Sequence, residues 1–548
     1  MAVIYIVVLI GVLVFVHEFG HYVVARLFGV KVLSFSIGFG PRLFGFKRGE
    51  TSWDVRALPL GGYVMMYGTE FEEVTDREDP DFARAYNNKP IWQKALINLA
   101  GPLFNLLFPI PILFAVYMGV TTDMPAQIGQ VLDNSAATGA LQPGDTVTHI
   151  DGEPVRFWTQ LHDIVADNPG VTLRFTVVRD GSTREVDLTP QETTLRDAMD
   201  VMTQTVGRIG VTPDLAPPIV GITAPLAPAA RAGLQTFDEI TAIDGESVRS
   251  YVDIERAVAH RQGDVLHVSV LRPVKLDVPY GTIQVLTPVD IQIKADGRTP
   301  AELGFDSANM FLSDIDQNSP ASRAGLRSGD RILALDGVSV NIFRSVADKL
   351  AQNWESPHKI TVLRDGEVFE TTLQMEKLTI TGEFQEEVPM IYAGFYHKTR
   401  YVMPDEIDKT FGERMAFAAR SSIEMTVRAS TMLVVYIGRM FQGRVSTKSL
   451  GGPIMIGHMA SKAGQDGLDA FLRMMAGISI NLGILNLLPI PLFDGGKLVI
   501  PLVEAIKRGP LSMRTRQIIA YVGLALVALL IMLAFKNDLE RMWNLFFS

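Results

Sequence analysis

The stretch AVIYIVVLIGVLVFVHEFGHYVVARLFG, Ala2 to Gly29, sets two histidines and a glutamate inside a run that is otherwise almost wholly apolar. Ala2 to Val16 contain no charged residue, and Tyr22 to Gly29 continue the run past the HEFGH motif. At about 1.5 Å per residue against roughly 30 Å of hydrocarbon, a helix here reaches across a bilayer. No basic segment precedes the apolar stretch and no small-x-small pattern follows it, so a retained span is expected and not a cleaved signal peptide.

Three more runs approach spanning length: Ile97 to Val120, Phe471 to about Phe493, and Ile518 to Phe535. The third carries Arg473 at its start and Pro489 and Pro491 near its end, where its helix is expected to unwind. Thr431 to Phe441 is too short and too polar to add a fifth. In a chain of 548 residues, 47% hydrophobic and 20% charged, apolar residues concentrated in a few runs predict spans plus soluble domains. A net charge of −10 without a long Lys/Arg cluster excludes a nucleic-acid partner. Without any cysteine, a bound metal must be held by His, Asp or Glu.

Lys and Arg near span ends stay on the cytoplasmic side. Arg26, Lys31, Arg42, Lys47 and Arg48 follow the first span; Lys497, Lys507, Arg508, Arg514 and Arg516 lie between the third and fourth. Both loops are therefore expected in the cytoplasm, with both termini and the large middle region in the periplasm of a bacterium.

That middle region repeats a phrase three times: AATGALQPGDTVTHIDGEPV around Leu141, AARAGLQTFDEITAIDGESV around Leu234, and ASRAGLRSGDRILALDGVSV around Leu326. The period is domain-sized. In each copy an Asp (Asp145, Asp238, Asp330) precedes an alternating strand that ends in an Asp-Gly turn. The phrases resemble PDZ domains of the bacterial periplasmic protease type. The resemblance implies that RIGV (Arg208 to Val211) and ELGF (Glu302 to Phe305) bind a peptide carboxylate, with the peptide added as a strand. Spacers or size filters without a ligand are the alternative for each copy. Phe237, where the other copies have Gly, marks the second as diverged.

HEFGH places His17 and His21 on one helical face with Glu18 beside them, a spacing that suits two zinc ligands and a general base for a metal-bound water. Such groups are costly in lipid, by about 2.5 kcal/mol or more if charged, and mark a function. A catalytic zinc takes three protein ligands and an open position, and Asp494 in NLLPIPLFDGG (Asn486 to Gly496) is the candidate for the third. Read alone, Asp494-Gly495 is an ordinary turn.

Taken together, HEFGH, FSIGFGP (Phe35 to Pro41), PLGGYVMM (Pro59 to Met66), AGPLFN (Ala100 to Asn105), GGPI (Gly451 to Ile454) and the Asn486, Pro489, Pro491, Asp494, Gly495 pattern resemble the site-2 protease (M50) family of intramembrane zinc metalloproteases. Within it, the bacterial members that regulate sigma-E are the most similar. The resemblance implies Zn2+ held by His17, His21 and Asp494, water activated by Glu18, and substrate held by Asn481, Asn486, Pro489 and Pro491. It also implies a reentrant β-hairpin sheet between Val30 and Tyr67, whose edge holds an unwound substrate segment. Substrates would be single-pass membrane proteins, such as an anti-sigma factor, and remnant signal peptides, cut in regulated intramembrane proteolysis during envelope stress. Phe493 and Lys497 stand where the family commonly has Leu and His, and three PDZ-like modules exceed the usual one or two.

The expected architecture is a polytopic membrane protein with a four-helix metalloprotease core, a membrane-associated β-hairpin sheet and periplasmic PDZ-like domains. Its expected segments are a first span at 1–28, a reentrant β region at 29–96 and a second span at 97–120. PDZ-like modules follow at 121–206, 207–300 and 301–398, then a helical region at the membrane surface at 399–470. The third span with the Asp ligand occupies 471–496, a cytoplasmic loop 497–517, the fourth span 518–535 and a periplasmic tail 536–548. A zinc transporter would need a longer ligand path than one cluster gives, and a catalytically inactive PDZ scaffold would have no use for Glu18.

Overall fold

The computed structural model describes residues 2–69, 74–196, 203–260, 265–278, 281–295, 299–381, 387–397, 401–442, 451–491, 493–507 and 512–547. The chain forms two compact units, one of 1–121 with 409–548, the other of 122–196 with 203–408.

The first unit holds α1 (Ala2–Leu27), the hairpin β1 (Val32–Arg48) and β2 (Thr51–Met66), α2 (Ile91–Leu107), α3 (Pro109–Met118), α4 (Phe411–Phe441), α5 (Pro453–Asp466), α6 (Leu468–Leu487), α7 (Asp494–Lys507) and α8 (Met513–Phe547). Among the described residues four segments are long and apolar enough to cross a membrane: Ile4–Leu27, Ile91–Met118, Leu468–Leu487 and Gln517–Glu540. The second starts earlier than its apolar run and joins two helices, α2 and α3, at Phe108, because Pro109 has no N–H to continue the ladder. The third ends at Leu487, and Asp494 opens a separate helix, so the expected loop 497–517 begins inside α7. Residues 508–511 of that loop, Arg508 among them, lie outside the described residues. The fourth helix runs on to Phe547, so the expected tail is helical too.

Asp538 of α8 is buried, and its carboxylate accepts the backbone N–H groups of Gly452, Ile454 and Met455 at 2.9, 3.0 and 3.2 Å. The negative charge thus sits on the N-terminus of α5, where unpaired donors and the helix dipole favour it. Between the third module and the third span the described residues form two helices, α5 and, before it, the long α4. It does not lie apart from the spans: Ala418 packs with Leu113 and Tyr117 of α3 and Ala476 of α6, and Ile437 packs with Ile480 and Ile484. The β1–β2 hairpin has an irregular antiparallel register, and Leu43, Phe44 and Phe46 leave its far end apolar and exposed.

In the second unit the three repeats fold alike. Each has a four-stranded antiparallel sheet, with Thr146–Ile150, Glu239–Ile243 or Arg331–Leu335 as the strand the sequence pattern predicts. Each packs a longer helix on its core, Trp158–Asp167, Tyr251–Ala259 or Phe343–Gln352, and the second and third also have a single helical turn, Pro228–Arg231 and Pro320–Arg323. The conserved phrase places a fully buried Asp145, Asp238 or Asp330 at the head of that strand. Each is paired with an arginine 34 residues on, Arg179, Arg272 or Arg364, at 2.7, 2.7 and 2.6 Å. A buried carboxylate needs such a partner, and the arginines escaped the sequence reading because they fall outside the quoted phrase.

The Asp-Gly turns form as expected, with Asp151, Asp244 and Asp336 in the left-handed region at φ 51°, 51° and 52°. Phe237 also takes φ +76°, where Gly144 and Gly329 adopt that conformation freely, so the divergence of the second copy carries backbone strain. The module edges lie beyond the expected 206/207 and 300/301. Val211–Thr212 pairs with Gln130–Val131 of the first copy, and Phe305–Ser307 pairs with Val220–Ile222 of the second. RIGV and ELGF therefore close the copies they follow, because each sheet core needs Ile209 or Phe305 to fill it. In the third copy Phe395–His397 takes that place against Leu312–Ile315.

Candidate metal centre

His17 and His21 stand one turn apart on α1, and Asp494 is the first residue of α7. Asp494 Oδ2 lies 3.0 Å from His17 Nε2 and 3.3 Å from His21 Nε2, and the two Nε2 atoms lie 3.3 Å apart. Three ligand atoms at about 2.0–2.1 Å from a tetrahedral zinc would be about 3.3–3.4 Å from one another, so this near-equilateral triangle fits a zinc ion. It is the one His/Cys/Asp/Glu cluster of metal-binding geometry among the described residues.

The surroundings keep the triangle in place. His21 Nδ1 meets the backbone oxygen of Ile97 at 2.7 Å, and His17 Nδ1 meets Asn105 Nδ2 at 3.1 Å. Lys497 Nζ donates to Asp494 Oδ1 at 3.0 Å, occupying the carboxylate oxygen that the histidines leave free. Gly101 lies between Ile97 and Asn105 on the same face of α2, and a Cβ there would come within 2.3 Å of His21 Nε2 and 2.9 Å of His17 Cε1. The absent side chain leaves room at the ligand atoms. Ile97, Gly101 and Asn105 recur every fourth residue, a helical-face signal within and beside AGPLFN that could have identified them.

Glu18 lies in electrostatic range of His17, His21, Asp494 and Lys497. Gly62 of β2 packs directly on it, since a Cβ at Gly62 would fall 2.9 Å from Glu18 Cγ and 2.7 Å from the Ser36 carbonyl. PLGGY thus brings the hairpin to the general-base candidate.

Asn481 is exposed on α6 and Asn486 half-buried near its end; Pro489, exposed, and Pro491, half-buried, follow in the non-helical link to α7. That link is clasped on both sides. A Cβ at Gly495 would strike the Leu487 carbonyl at 2.3 Å, one at Gly496 the Ile490 carbonyl at 2.1 Å, and one at Gly523 of α8 the Pro491 carbonyl at 2.3 Å. The predicted unwinding is present, and the glycines are what let Asp494 return to the histidines.

Fold and site together define the class as a membrane-embedded metallopeptidase, with candidate metal ligands on two helices far apart in sequence. The profile of peptidase family M50 matches residues 5–530, and the chain belongs to that family. It is a multi-pass membrane zinc metalloprotease. The regulator of sigma-E protease RseP of Salmonella typhimurium is 29% identical over 540 residues, 98% of each chain. A protein of Neisseria meningitidis named "Putative zinc metalloprotease" is 27% identical over 532 residues, 97% of each. Among solved structures, the PDZ domain of an SdrC-like protein from Listeria monocytogenes is 23% identical, covering 16% of this chain and 83% of its own at a TM-score of 0.13.

Proposed function

We propose that this protease cuts peptide bonds within transmembrane segments of single-pass proteins, with His17, His21 and Asp494 as zinc ligands and Glu18 as general base. The observation that carries the reading is the ligand triangle formed between α1 and α7, with α1 a candidate span and α7 joined to the end of another. His17, His21 and Asp494 would hold the zinc, which would supply Lewis-acid polarisation of the scissile carbonyl and make water acidic enough to attack near neutral pH. Glu18 takes a proton from the attacking water and returns it to the leaving nitrogen. Asn481, Asn486, Pro489 and Pro491, on and after the end of α6, hold the substrate near Asp494. The β1–β2 hairpin, packed on Glu18 through Gly62, offers a strand edge to a segment that must be unwound before its carbonyls are accessible. Substrates prone to unwind, with Gly, Ser or Pro in the span, are therefore preferred.

The substrates we infer are an anti-sigma factor, in line with the sigma-E regulators among the relatives, and remnant signal peptides, within a regulated envelope stress response. The setting is a bacterial inner membrane, with the termini and PDZ-like modules periplasmic and the site near the cytoplasmic face. The modules receive peptide C-termini or exclude untrimmed substrate. The test is cleavage of a model single-pass substrate in detergent by wild type and Glu18→Gln, with bound zinc quantified. Zinc retained and cleavage lost at least 100-fold is the expected result; cleavage that persists in Glu18→Gln overturns the base assignment.

A further inference from the structure

A buried polar atom without a partner calls for an explanation. Asn105 is wholly buried and its Oδ1 has no hydrogen-bond partner among the described residues, while Nδ2 at the other end of the amide lies 3.1 Å from His17 Nδ1. In this arrangement Nδ2–H donates to Nδ1, which leaves the ring proton on Nε2, directed at Asp494 Oδ2 3.0 Å away. A zinc ligand needs the other tautomer, with a bare Nε2 and the proton on Nδ1. The two ends of an amide have the same shape, and a half-turn of the side chain exchanges them. Turned this way, Oδ1 accepts from Nδ1–H, the orphaned oxygen gains a partner and Nε2 is free for the metal.

We propose that Asn105 is a positioning residue that fixes His17 as an Nε2 ligand by accepting from its Nδ1–H. The proposal rests on the metal-site reading above. His21 supplies the parallel: its Nδ1 meets the Ile97 carbonyl at 2.7 Å, and a carbonyl can only accept, so that ring presents Nε2 to the site. Ile97 and Asn105 stand two turns apart on one face of α2, as His21 and His17 stand one turn apart on α1, with Gly101 between them making room. The backbone at Asn105 is itself anchored, since buried Ser479 Oγ of α6 donates to its carbonyl at 2.7 Å. One ligand is thus oriented by a main-chain oxygen that cannot reverse, the other by an amide that can.

The experiment is zinc affinity by chelator competition on the purified full-length chain in detergent, for wild type, Asn105→Asp, Asn105→Leu and His21→Ala. An aspartate at this position can only accept, so Asn105→Asp is expected to bind within about threefold of wild type, and Asn105→Leu about 10–100-fold more weakly. Wild-type affinity in Asn105→Leu overturns the proposal. So does Asn105→Asp binding as weakly as the leucine variant, which would make the donor end the important one. Should the leucine variant fail to fold, Asn105→Asp against wild type still decides. Failure of the metal site itself reads differently: wild type would bind no zinc, or His21→Ala would bind it as tightly as wild type.

Discussion

Gly101 shows how much of the centre depends on an atom that is absent. Two opposing effects meet at this position. Alanine is the better helix former by about 1 kcal/mol, set in Gly101→Ala against about 1–3 kcal/mol for overpacking, so thermal stability is expected to be unchanged or lower. The alanine Cβ would come within 2.3 Å of His21 Nε2, on a neighbour that Ile97 holds from behind. We expect zinc affinity to fall by at least about tenfold, as when ligand geometry is disturbed, and cleavage with it. Zinc titration beside a thermal melt checks this; unchanged zinc binding would mean that His21 shifts without cost. At this scale HEFGH and Asp494 were legible because their chemistry is conspicuous in an apolar setting. Gly101, Asn105 and Lys497 were not assigned roles, since a glycine, an amide and a lysine acquire meaning only from what lies opposite.

The three module helices were not equally self-sufficient. In the first, Gln160 Oε1 accepts the N–H groups of Arg156 and Phe157 at 2.9 and 3.2 Å; in the second, Asp253 does this for Arg249 and Ser250 at 3.1 and 2.9 Å. The third helix, Phe343–Gln352, has no capping side chain of its own. Asp133 of the first module supplies the cap, accepting from the backbone of Asn341 and Ile342 at 2.8 and 3.3 Å and from Asn341 Nδ2 at 3.0 Å. Losing such a cap costs about 1 kcal/mol, so in Asp133→Ala the first-turn amides of the third helix should exchange roughly fivefold faster. The helix at Trp158 should not change. Hydrogen exchange resolved by segment measures both, and equal protection in the mutant would show the cap to be dispensable. The strand in each repeated phrase followed from local alternation, but the module helices were not read from the sequence, and this cap joins residues 208 positions apart and has no local signature.

Over the whole molecule, the positive charges are the feature that bears on orientation. The expected topology keeps the β1–β2 loop and the link after α7 in the cytoplasm and the repeats outside. The chain has no cysteine, so a single introduced thiol reports its side cleanly. In intact cells with a permeable outer membrane, an impermeant maleimide should label Ser182→Cys in the first module at least tenfold more than Lys47→Cys, and both equally after the inner membrane is opened. Preferential labelling of Lys47→Cys would invert the topology.

The sequence by itself determined the four spans, the threefold repeat with its Asp-Gly turns, the break before Asp494 and the metal-ligand candidates. Each of these is a statement about hydrophobic run length, short-range periodicity or residue chemistry, and such properties are carried by neighbouring positions. Tertiary structure decided the rest. It returned RIGV and ELGF to the copies they follow, since a strand joins the sheet whose core it fills, and it packed α4 against α3 and α6. It also closed His17, His21 and Asp494 into a triangle of 3.0–3.3 Å edges across more than 470 residues of chain. That closure depends on glycines at 101, 495 and 496 whose only contribution is space, and space is a property of the packed chain.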